Sequence, residues 1–179
     1  KYCIYKQYFL TVKKSRPYLA RGSSSNSPSR YLKYQVELDR EPESFFEDFS
    51  ERVTVQTQFH KDKTKTLITR NQSPDIGFDR SINPYKGCEH GCIYCFARPT
   101  HAYLDLSPGV DFESQIYYKT GVTSLLEKEL NNPNYVCRPI ALGTNADPYQ
   151  PGEKDLRVTR EILEFLASRK HPVSIVTKG

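Results

Sequence analysis

The segment FESQIYYKTGVTSLLEKELNNPNYVCRPIALGTN, residues 112–145, decides the fold class. FESQIYYK (112–119) is an apolar and aromatic run that suits a strand. Val122, Leu125, Leu126 and Leu130 then recur at helical spacing within VTSLLEKELNN. PIALGTN (139–145) is a short apolar strand. The pattern repeats downstream: Leu156, Ile162, Leu163 and Leu166 mark a helix within DLRVTREILEFLASR (155–169), and PVSIVTK (172–178) reads as another buried strand. Strands separated by helices of about 10–15 residues imply parallel βαβ units, hence an α/β chain.

This alternation begins at Ser81, so residues 81–179 form one unit. Ahead of it, 37–80 is a mixed lead-in with strand-like VTVQTQ (53–58) and TLIT (66–69), followed by the loop NQSPDIGFD (71–79). Residues 1–36 hold eight Lys or Arg and no acid, and include SSSNSPS (23–29). They read as a basic, disordered arm, able to meet nucleic-acid phosphates or to act as a transit peptide. The remainder carries 18 basic and 21 acidic residues, so the charge of +5 resides in the arm. No apolar run nears the ~18 residues of a membrane span, so a soluble protein without a membrane partner is expected. The 13 Tyr and 9 Phe can fill a core without Trp, and the absence of Met leads us to expect a fragment, a processed product or a disrupted frame.

Three of the five cysteines, Cys88, Cys92 and Cys95, lie within GCEHGCIYC (87–95) as C-x3-C-x2-C. One helical face of small core residues would share that spacing, but Pro84, Gly87 and Gly91 interrupt it, and Lys86, Glu89 and His90 are polar. A disulfide framework does not suit clustered thiols in an α/β chain. Zinc needs a fourth ligand, for which His90, His101 or Cys137 are candidates, but only one C-x2-C knuckle is present. A four-iron cluster held by three thiolates, with one iron left open, is the other reading, since no further cysteine follows at ferredoxin spacing. Cys3 is read as incidental and Cys137 as a small buried residue, neither of them a ligand.

C-x3-C-x2-C with an aromatic before its last Cys (Tyr94) resembles the signature of the radical S-adenosylmethionine (SAM) superfamily. SINPYKGCEHGCIYCFARPTHAYL (81–104), ALGTNADPYQP (141–151) and HPVSIVTKG (171–179) resemble the branch related to spore photoproduct lyase, over about 66–179. The resemblance implies a partial (β/α) barrel, a [4Fe-4S] cluster on Cys88, Cys92 and Cys95, and SAM chelating the open iron. It implies reductive cleavage of SAM to a 5′-deoxyadenosyl radical that takes hydrogen from a substrate. Tyr94 would lie on the adenine side. Barrel ligands gather where strands end, which singles out Thr144, Asn145 and Asp147 after one strand and Thr177 and Lys178 after another. Asn145 and Lys178 match positions that hold the methionine portion in the lyase branch. His90 and His101 would flank the cluster, and Arg98 and Lys86 would offset its charge. An open-iron cluster is exposed to oxidants, so a reducing cytoplasm is the expected location, with a flavodoxin or ferredoxin as electron donor. The substrate is unknown, with nucleic acid one candidate, and no catalytic residue is assigned.

Two departures bound this expectation. The chain has no Gly-Gly pair for the SAM-amine motif common in the superfamily. It also supplies about four strands of a six-stranded barrel, so the front part of a larger enzyme is expected, incomplete at the C-terminus and with an unpaired apolar edge. In the strict lyase a Cys precedes the Thr of the post-strand turn; here Gly143 stands there, so a different substrate or hydrogen donor is expected. The rival functions are a zinc-stabilised nucleic-acid-binding module and an inactive truncated fragment.

Overall fold

A computed structural model of the chain describes residues 18–31 and 53–179. Cys3 and most of the basic arm lie outside the described residues. The strands are β1 (Tyr18–Leu19), β2 (Val53–Thr54), β3 (Gln58–Asp62), β4 (Thr69–Arg70), β5 (Arg80–Ile82), β6 (Tyr85–Lys86), β7 (Gln115–Lys119), β8 (Ile140–Leu142) and β9 (Val173–Ile175). The α-helices are α1 (Val110–Ser114), α2 (Val122–Leu130), α3 (Glu153–Leu156) and α4 (Val158–Ser168), and Arg98–Leu104 forms a 3-10 helix. No helix among the described residues is long and apolar enough to cross a membrane.

One sheet has the order β4-β5-β8-β9, with β5, β8 and β9 parallel and β4 antiparallel to β5. A second has the order β3-β7-β6, with β3 and β7 parallel. The expected parallel βαβ unit is present once, as β8-α3/α4-β9; β7-α2-β8 is not one, because β7 pairs with β3 and β6 in the other sheet. Leu126 of α2, Ile162 and Leu166 of α4, and Ile140 and Leu142 of β8 are fully buried in one cluster with Leu67, Ile82 and Ile116. Burying such side chains is worth about 1.5–3 kcal/mol each, and it fixes both helices against the sheet.

Several expectations need correction. Phe112–Ser114 is helical rather than part of a strand. The Asp111 carboxylate accepts the Ser107 N–H and the Ser114 hydroxyl donates to the Val110 carbonyl at 2.9 Å, so this short turn is held by its own side chains. The helix read across 155–169 breaks at Arg157, which has φ +54°. Buried Glu153 accepts the N–H groups of Thr159 and Arg160 at 3.0 Å, replacing the carbonyls that a continuous helix would offer. VTVQTQ is divided between β2 and β3, and TLIT is a strand only from Thr69, because the Leu67 and Ile68 N–H groups donate to the Glu129 carboxylate instead. PVSIVTK is not buried: among the described residues β9 pairs only with β8, and Ile175 and Val176 are exposed. Cys137 is exposed rather than buried.

The Ser-rich stretch also departs from the reading of a free arm. Residues 20–31 are held against the cysteine loop and its flanks. Asn26 and Asp111 bond reciprocally, Val110 N–H donates to the Ser25 carbonyl, and the buried Ser29 hydroxyl reaches the Ala102 carbonyl.

Candidate metal and cofactor site

The cysteine loop is a chain of turns between β6 and the 3-10 helix. Gly87 and Gly91 have φ of +82° and +62°, a conformation that L side chains resist. Their sharp bends let the thiols face inward. The Cys88 N–H donates to the Phe112 carbonyl at 2.9 Å, tying the start of the loop to α1. Arg98 ties down its middle, donating to the carbonyl of Cys92 and to buried Glu113. Cys88 packs on Ala97 and Phe112, with Cys95 beside them.

A cavity of about 280 Å³ opens on this loop, lined by Cys88, Cys92, Tyr94, Cys95, Thr144, Asn145, Asp147, Thr177 and Lys178 with their neighbours. The three cysteines, Tyr94 and His90 come from the loop, and Thr144, Asn145, Asp147, Thr177 and Lys178 from the turns after β8 and β9, the strand ends that β/α folds use for ligands; His101, Cys137, Arg98 and Lys86 do not line the cavity. Nearly 90 residues separate Cys92 from Lys178, yet the Lys178 ammonium is 3.4 Å from the Cys92 sulfur. That contact raises the Lys178 pKa. Burial raises the pKa of the Cys88 thiol. All three thiols are free of disulfides. Tyr94 is 80% exposed at the rim, beside exposed Ile93 and Phe96.

Asp147 lines the cavity and also holds the turns around it. Its carboxylate accepts the Lys178 N–H at 2.6 Å, the Tyr149 N–H at 2.8 Å and the Thr177 hydroxyl at 2.8 Å. Burial pushes its pKa up, but these donors, with His90 at 3.5 Å, bring it below the usual carboxylate value. Asp147 therefore sets the post-β9 turn and with it the place of Lys178.

Asn83 was not found by sequence reasoning. Its side chain accepts the Asn145 N–H at 2.7 Å and bonds the Thr144 hydroxyl, so the end of β5 shapes the turn after β8. Glu89, read only as a polar residue of the loop, is buried and accepts the Gly152 N–H at 2.7 Å. His101 is buried with no hydrogen-bond partner on either ring nitrogen among the described residues and does not line the cavity; burial lowers its pKa. Lys86 pairs with Asp62 at 3.0 Å.

The donor set can be weighed against both metals. Zinc holds thiolates at about 2.3 Å around one point. Among the described residues, no three His, Cys, Asp or Glu side chains gather for a single ion. Three free thiols around one cavity fit a larger body with soft-ligand preference, as a four-iron cluster is.

No family model and no solved structure matches the chain. It is 44% identical over 124 residues to uncharacterized proteins of Mycobacterium bovis and Mycobacterium tuberculosis, covering 68% of this chain and 36% of each of them. An uncharacterized protein of Methanocaldococcus jannaschii is 30% identical over 119 residues, 66% of this chain and 42% of that protein. The chain thus spans little more than a third of the length of its mycobacterial relatives.

Proposed function

We infer that this chain carries the cluster and SAM site of a radical SAM iron–sulfur enzyme related to the spore photoproduct lyase branch, built on the front part of a (β/α) barrel. The observation that carries this reading is the single cavity joining Cys88, Cys92 and Cys95 to the turns after β8 and β9. Bound there, a [4Fe-4S] cluster with SAM would supply one-electron reductive chemistry for hydrogen-atom abstraction from a substrate.

The chain's own residues would do the rest. Cys88, Cys92 and Cys95 hold the cluster as thiolates, each losing its proton on binding. Lys178 presents a fixed positive charge beside Cys92 for a carboxylate, and its place is set by Asp147. Asn145, with its N–H held by Asn83, turns a donor and an acceptor toward the methionine portion. Tyr94, at the exposed rim, would lie on the adenine side. An electron donor of flavodoxin or ferredoxin type, a cytoplasmic location and an unidentified substrate, nucleic acid included, belong to the same proposal.

The reaction of the strict lyase is not part of it. Gly143 has φ +82°, and a Cβ there would lie 2.4 Å from the Val176 carbonyl oxygen and 2.5 Å from Pro148 Cδ. No thiol side chain fits at that position. The test is anaerobic reconstitution with iron and sulfide. About four irons per chain, lost on changing Cys88, Cys92 or Cys95 to Ala but kept in Cys137→Ala, is the expected result. One zinc per chain and no iron would favour the nucleic-acid module instead.

A further inference from the structure

Two residues of the Ser-rich stretch reach the cysteine loop from outside the cavity. The Arg21 guanidinium donates to the Glu113 carbonyl at 2.9 Å, to Thr57 Oγ1 at 2.8 Å and to Glu89 Oε1 at 3.2 Å. Glu89 lies between Cys88 and Cys92 in sequence and is buried. The Gly22 N–H donates to Glu113 Oε2 at 2.9 Å, while the other oxygen of that carboxylate accepts from Arg98, which itself bonds the Cys92 carbonyl. A chain of charge-assisted bonds thus runs from residue 22 to the backbone of a thiol ligand. Gly22 also lies directly on Gly91: a Cβ at Gly22 would be 1.8 Å from the Gly91 carbonyl oxygen, and one at Gly91 2.5 Å from Arg21 Cβ.

We propose that Arg21 and Gly22 form a latch that holds the cysteine loop in the shape its three thiols need to receive the cluster. The inference rests on the cluster reading above. Glu89 and Glu113 are its buried anchors, and neither lines the cavity, so the latch acts on the loop backbone and not on a ligand. Arg21 and Gly22 are positioning residues.

The experiment compares the full chain with Arg21→Ala, Arg21→Lys and Gly22→Ala, using Arg160→Ala as a surface control. Far-UV circular dichroism confirms folding. In cluster-free protein, alkylation of Cys88 is timed against exposed Cys137 within the same chain. Loss of the latch should speed Cys88 relative to Cys137 by about 5–30-fold, the factor that one to two lost interactions represent. Arg21→Lys, which keeps the charge but not the fork, should fall between. After reconstitution, Arg21→Ala and Gly22→Ala should hold less iron and show a broadened electron paramagnetic resonance signal. A wild type that loads iron beside latch variants with unchanged alkylation and spectra overturns the latch alone. A wild type that takes up no iron, while the variants expose Cys88, overturns the cluster reading and leaves a latch on the thiol loop.

Discussion

Removing the Asp147 carboxylate should release the turn that carries Lys178. In Asp147→Ala the Lys178 N–H, the Tyr149 N–H and the Thr177 hydroxyl all lose their acceptor. Those three residues are exposed, so the freed donors turn to water rather than remaining unpaired in the core. Each bond then counts for about 0.5–1.5 kcal/mol net, and since the three share one acceptor we expect about 2–3 kcal/mol in total. For a chain of this length that is a fall in Tm of about 4–12 °C. Calorimetry across pH gives a second handle. A carboxylate whose folded-state pKa lies below its ordinary 3.8 stabilises fully above that value and loses its contribution as pH falls through the folded value. The gap between wild type and variant should therefore hold from neutrality to about pH 5 and close below pH 4. A Tm within about 1 °C of wild type, or a gap that persists unchanged to pH 2, would refute the claim that Asp147 anchors the turn.

Three further outcomes are expected. Gly143→Ala should destabilise by about 1–3 kcal/mol in urea unfolding, since it adds both a positive-φ penalty and an overlap with Val176 and Pro148. If Lys178 takes the SAM carboxylate as proposed, Lys178→Ala should weaken SAM binding by at least about tenfold in anaerobic equilibrium dialysis while leaving iron content unchanged. Iron uptake should be faster at pH 8.5 than at pH 7, as the buried Cys88 thiol has a raised pKa and must lose its proton to bind; equal rates would contradict that order.

Much of the site was legible because its parts follow strong local rules. Glycine-punctuated thiols must form a loop, and the residues after apolar strands must gather at one end of parallel sheets. The eight residues singled out on those grounds share one cavity. What escaped was set by contacts distant in sequence. Asn83 reads as a polar residue before a proline, and nothing local shows that it bonds residue 145. Glu153 looks like one more charge on a helix, but its buried carboxylate ends one helix and starts the next. Ser29 and its neighbours have the composition of a free tail, and composition does not register that Asp111 and Glu113 wait for their N–H groups. Strand β9 is as apolar as a buried strand, but its exposure depends on what pairs with its outer edge, not on its own residues.

The contact of Gly22 with Gly91 carries an evolutionary consequence. Two backbones 69 positions apart touch with no room for a methyl group, so neither position can drift alone. A substitution at either would push the two segments apart, and no change at the other could make room, since glycine has no side chain to give up. Both positions should therefore stay glycine for as long as the two segments touch. A descendant that sheds the Ser-rich stretch altogether is released from the constraint of space at 91, though the left-handed turn there would still favour glycine or asparagine.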